Sequence, residues 1–96
     1  MDPDSITEFM IADVVETTAG RDAGNLFYVV GTEDTYLLLA NGKDRSLEQP
    51  KRKKRKHAKK VLRSDTRVAE KLRAGDKVLN SELRRDLAYI NKTNGG

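Results

Sequence analysis

The 96-residue sequence contains no cysteine and no tryptophan, only 2 prolines and a single histidine. Without cysteine, neither a disulfide framework nor a thiolate-ligated zinc site can hold the fold, so hydrophobic packing must do so alone. No apolar run approaches the roughly 20 residues of a membrane span, and the acidic start Met1-Asp2-Pro3-Asp4 is followed by no apolar stretch of signal-peptide length. These absences lead to the expectation of a soluble, cytoplasmic protein. Apolar residues make up 36% of the chain, and adding the 7 glycines leaves it below the roughly 45–50% usual for globular domains. One domain with a small core is expected, since roughly 60 residues can already fold alone.

Catalytic signatures are also missing. There is no phosphate-binding loop and no nucleophile motif, and the acids are scattered. Pairs such as Glu33-Asp34 and Glu82 with Asp86 read as turn and helix-surface residues, not as an acid–base or metal constellation. A non-enzymatic protein without metal or cofactor is expected.

What the chain has in excess is positive charge in one place. Residues 51–60, KRKKRKHAKK, hold 8 of the 19 Lys and Arg and no acid; the remainder has 11 basic against 15 acidic residues, a net of −4. A run of this kind can be a solvated tail, a localisation-type signal or a contact for a polyanion. Eight cations in ten residues repel one another and lower the stability of a small domain, which an anionic partner would offset.

Short strands dominate the pattern. Ser5 and Glu8 have the spacing of a capping box for a short helix; a strand is expected from Met10 to Thr17, where β-branched residues gather. Thr18 to Asn25 breaks it with Gly20 and Gly24, which suit a turn needing positive φ. Leu26-Phe27-Tyr28-Val29-Val30 is apolar without alternation, so it reads as the central strand with both faces covered. Gly31 to Asp34 is a turn and Thr35 to Ala40 its antiparallel partner. Asn41-Gly42 signals a type I′ hairpin, returning through Asp44 to Glu48 until Pro50 ends it. His57 to Arg63 can form a fifth strand.

Ser64-Asp65-Thr66 then reads as a cap for a helix over residues 66–74, with Val68, Ala69 and Leu72 on one face and Gly75 at its C-terminus. A second helix can begin at Ser81, with Leu83, Leu87 and Ile90 as its apolar stripe, Arg84, Arg85 and Asp86 on the other side, and a frayed end from Thr93.

The segment Val14-Val15, Ala19-Gly20-Arg21-Asp22-Ala23-Gly24 and Phe27-Tyr28-Val29-Val30 resembles a KOW motif, found in large-subunit ribosomal proteins and in NusG-type transcription elongation factors. Leu38-Leu39-Ala40-Asn41-Gly42-Lys43 and the basic segment after it bring the chain closest to bacterial relatives of the ribosomal L-fourteen-e group. The resemblance covers residues 10–63. Ala12 stands where many members of the family have glycine, and Ala23 and Asn25 flank Gly24 where basic residues are common.

The resemblance implies a mainly β fold, a small SH3-like barrel over residues 10–63 that includes the basic strand 51–60, with a short helical C-terminal segment over 64–96. It also implies RNA binding, with Gly24 as the signature glycine and the turn around Gly20 and Gly24 as a contact. The expected RNA-binding residues are Arg21, Lys43, Arg45, Lys51, Arg52, Lys53, Lys54, Arg55, Lys56, His57, Lys59, Lys60 and Arg63.

Ribosomal RNA of the large subunit is the first expected partner, contacted through phosphates and recognised by shape, since the sequence has no GxxG clamp and no aromatic ribonucleoprotein motif. His57, among lysines, fits hydrogen bonding or RNA stacking and not catalysis. Tyr28, Tyr36 and Phe27 read as core residues ahead of base-stacking ones. Arg67, Lys71, Arg73, Arg84 and Arg85 either extend the basic surface or solvate the helices. The alternative function is a protein-interaction module of the transcription or translation machinery, contacting ribosomal proteins or translation factors.

Overall fold

A computed structural model describes residues 8–21 and 23–94. Five strands, β1 (Asp13–Thr17), β2 (Leu26–Thr32), β3 (Tyr36–Ala40), β4 (Lys51–Lys54) and β5 (Ala58–Arg63), form one antiparallel sheet in the order β4-β3-β2-β1-β5. The first four strands make a meander, and β5 returns to the outer side of β1 through a single 3₁₀ turn at Arg55–His57. Two helices follow, α1 (Arg67–Ala74) and α2 (Asn80–Asn94). The protein is therefore mainly β. No pairing joins β4 to β5 among the described residues, so the ladders do not close the sheet into a barrel. Among those residues no helix is long and apolar enough to cross a membrane.

β2 lies at the centre, as its unbroken apolar run requires. Side chains alternate across a strand, so β2 feeds two cores. Phe27 and Val29 pack with Phe9, Val15, Leu37 and Leu39 on one face. On the other, Tyr28 packs with Ala12, Val14 and Ala40 beneath Val68 and Ala69 of α1 and Leu83, Leu87 and Ile90 of α2. Each fully buried aliphatic side chain contributes about 1.5–3 kcal/mol, so the α2 stripe is a main reason the helices dock.

The capping signals act as expected. Thr66 Oγ1 accepts from Ala69 N (3.2 Å) at the start of α1. Gly75, at φ 75°, ends the helix in the left-handed region.

A buried polar cluster joins the helices to the sheet. The Tyr28 hydroxyl bonds the Asp86 carboxylate and lies 2.8 Å from Ser64 Oγ, while Thr66 Oγ1 donates to Asp86 Oδ2 at 2.9 Å. A phenol has one proton, and the carboxylate, which only accepts, takes it. Burial first and then this bond push the Tyr28 hydroxyl up to about 12. Asp86 thus differs from the helix-surface residue expected: it is half-buried and tied to the central strand.

Several boundaries also differ. β1 starts at Asp13 and not at Met10, because Ala12 holds φ 75° and Asp13 Oδ2 accepts from Met10 N (2.8 Å) across a tight turn. Gly31 and Thr32 extend β2 instead of turning, with an irregular register between Val29 and Gly31.

Asn41-Gly42 does not form a type I′ hairpin, which needs positive φ at both residues. Gly42 alone has it (φ 76°), and Asn41 Oδ1 accepts from the amides of Lys43 (2.9 Å) and Arg45 (3.0 Å) to build a wider loop. Residues 44–48 accordingly form no strand, and β4 begins only at Lys51. A Cβ on Gly42 would meet Asn80 O at 2.2 Å, so the loop is shaped by the start of α2. α2 begins one residue before Ser81 and continues through Thr93 to Asn94. Ser5 of the expected capping box lies outside the described residues.

Candidate nucleic-acid interface

The basic run is not one edge strand. It forms β4, the 3₁₀ turn and the first part of β5, and so occupies both edges of the sheet. In β4, Lys51 and Lys53 lie opposite Leu39 and Leu37, on the face of the Phe27 core, and are half-buried. Arg52 and Lys54 lie opposite Leu38 and Tyr36 and are exposed. Alternation along the strand, not charge, decides which cations face outward.

The glycine turn and the basic run meet. Lys53 Nζ donates to Ala19 O at 2.7 Å, and Thr18 N donates to His57 O at 2.9 Å. β4 and the β1–β2 turn belong to distant strands of the sheet, so the Lys53–Ala19 bond requires it to be strongly curled, whereas the Thr18–His57 bond continues the β1–β5 ladder. Gly20 (φ 87°) and Gly24 (φ 91°) both use the left-handed region. Gly24 has open space around it, so backbone conformation alone selects glycine there, whereas a Cβ on Gly20 would crowd Lys53 Nζ at 3.1 Å. Arg21 is exposed beside them.

The expected RNA-binding residues separate into those held by the fold and those left free. Arg52 pairs with Glu33 Oε1 (2.8 Å) and stacks over the Tyr36 ring at 4.1 Å. The Arg55 guanidinium donates to Glu33 O at 2.8 and 3.3 Å. Lys60 ion-pairs with buried Asp13 (3.3 Å) and donates to Glu8 O. Burial and then the nearby Lys53 charge hold the Lys51 ammonium below its usual range. Arg63 is exposed, with its guanidinium 3.2 Å from Met10 Sδ. Lys54, Lys56 and Lys59 are exposed, and their ammonium groups have no hydrogen-bond or ion-pair partner among the described residues.

Lys43 and Arg45 are exposed on the 41–50 loop. Lys43 shares a groove of about 470 Å³ with Gly24, Asn25 and Arg84, so one end of the glycine turn faces α2. Three of the C-terminal cations brace the helices: Lys71 pairs with Glu82 (3.0 Å), Arg73 donates to Ser64 O and Arg84 to Gly42 O (3.3 Å). Arg67 and Arg85 remain exposed. Phe27 and Tyr28 are fully buried core residues, and His57 is half-buried in the 3₁₀ turn.

Asp13 escaped the sequence reading. It is 1% exposed, accepts from Met10 N, pairs with Lys60 and keeps Oδ1 buried without a partner among the described residues. Its position between Ala12 and Val14, an acid inside an apolar segment, was the available signal.

Comparison with known proteins adds no assignment: no protein-family model and no curated protein matches the chain.

Proposed function

We propose that this is a non-enzymatic RNA-binding protein of the KOW type, associated with the ribosome, which contacts ribosomal RNA phosphates through its glycine turn and the free cations of its basic run. The observation that carries this reading is the pair of bonds from Lys53 to Ala19 and from Thr18 to His57, which make one surface of two features far apart in sequence. An SH3-like fold of the KOW type is further supported by the five-strand order, by the 3₁₀ turn before β5 and by Ala12, which holds positive φ where many members of the family have glycine.

Phosphates on this surface would release condensed counterions, giving a salt slope of roughly −0.7 to −0.9 per contact. Sedimentation with ribosomal subunits over a range of salt tests the reading. The protein is expected to travel with the large subunit at low salt and to leave it as salt rises. Recovery in the unbound fraction at every salt concentration refutes the proposal.

A protein-interaction role has one observation in its favour, the 64% exposure of Tyr89 on α2. Under that reading, partner binding is lost on Tyr89→Ser and hardly changes with salt.

A further inference from the structure

Between the β2–β3 turn and the 3₁₀ turn the molecule has a cleft of about 610 Å³, within the roughly 300–1,000 Å³ typical of small-ligand sites. Its lining combines two chemistries. Phe9 and Tyr36 supply aromatic surface, Phe9 as a nearly buried floor (6% exposed) and Tyr36 half-buried with the Arg52 guanidinium holding its ring. Lys54, Arg55 and Lys56 supply positive charge against the single acid Asp34. The Arg55 guanidinium is committed to Glu33 O, but the ammonium groups of Lys54 and Lys56 have no partner among the described residues.

Two aromatic rings lining one cleft beside unpaired cations fit a ligand with a flat ring and an adjoining anion, which is the chemistry of a nucleotide. The cations of the cleft continue directly into the run that ends at Lys59 and Lys60, so a nucleotide seated there would sit within a longer polyanion. A base inside a duplex hides its faces in the stack and cannot enter; an unpaired one can.

We propose that this cleft receives one unpaired nucleotide of a bound RNA, with its base against Phe9 and Tyr36 and its phosphate at Lys54 and Lys56. The inference rests on the RNA-binding reading and adds to it a required feature of the RNA, a bulged or looped-out base.

The test is fluorescence anisotropy with the full chain and two labelled hairpin RNAs, one fully paired and one carrying a single bulged adenosine. Stacking of one base on an aromatic side chain corresponds to roughly tenfold in affinity, so the bulged hairpin is expected to bind about that much more tightly. The preference should survive Tyr36→Phe and vanish in Tyr36→Leu, whereas Lys54→Gln with Lys56→Gln should weaken both hairpins. Adenosine monophosphate should displace the bulged hairpin only in large excess.

Equal binding of the two hairpins by the wild-type protein overturns the inference while leaving the RNA reading intact, as does a preference that persists in Tyr36→Leu. Displacement by adenosine monophosphate at matching concentration assigns the cleft to a free nucleotide and overturns it too. Failure to bind either hairpin at low salt removes both the inference and the reading beneath it.

Discussion

Tyr28→Phe deletes a single oxygen from the seam between the sheet and the helices, and its cost follows from the bond that oxygen makes. The hydroxyl donates to the Asp86 carboxylate, and a hydrogen bond to a charged group contributes about 1.5–3 kcal/mol. Asp86 keeps its bond from Thr66 Oγ1, so the carboxylate is not stripped and the middle of that range, about 2 kcal/mol, is expected.

Titration of the hydroxyl gives a separate readout. The folded hydroxyl is raised from 10.0 to about 12, so the folded state holds this proton where the unfolded chain has lost it. That stabilisation is fully present below pH 10 and is lost as pH rises toward 12, by on the order of 2–3 kcal/mol, most of it the cost of burying a phenolate. Urea unfolding followed by circular dichroism should therefore show wild type ahead of Tyr28→Phe by about 2 kcal/mol at neutral pH, a difference in Tm of roughly 8–16 °C for a domain of this size. The two stability curves should converge between pH 10 and 12. A gap below about 0.5 kcal/mol at neutral pH, or curves that stay parallel through the alkaline range, would refute the assigned role of the hydroxyl.

Further predictions concern the surface and the turns. Replacing Lys54, Lys56 and Lys59 together by Gln should lower the salt slope of RNA binding by roughly 2–3 with Tm unchanged, while Lys53→Gln should lower Tm because Ala19 O loses its donor. Glu33→Gln removes an acid beside Arg52 and Arg55 and should tighten RNA binding a few-fold, read as a lower Kd at low salt. Gly42→Ala should destabilise far more than Gly24→Ala in thermal melts: both carry positive φ, costing about 1–2 kcal/mol, but only the Gly42 Cβ collides with Asn80 O.

Local signals carried much of the fold to the sequence reader. The β-branched and aromatic run at Leu26 to Val30 marked the central strand, Thr66 and Gly75 bounded α1, and Leu83, Leu87 and Ile90 marked the buried face of α2. What went astray depended on distant partners. Asn41-Gly42 has the composition of a tight hairpin, but α2 packs against Gly42 and Asn41 spends its side chain on the loop, so the wider turn prevails.

Asp86 reads as a surface acid from helical spacing, because nothing nearby announces a phenol 58 residues away. The candidate site behaved in the same manner. Composition located the cations, but only the pairing register of β4 and the curl of the sheet separate Lys53, held to the glycine turn, from Lys54, whose ammonium has no partner among the described residues.

The basic run supplies both outer strands of the sheet, and those edges have no pairing partner among the described residues. An unpaired edge is a template on which a second chain can add a strand, and lysine is a common defence against it. In the free protein, two copies approaching edge to edge bring like charges together, which opposes such pairing. A polyanion that neutralises β4 and β5 removes that protection while covering the same edges. Solubility is therefore expected to be lowest where anion and protein charges balance, and to return when either is in excess.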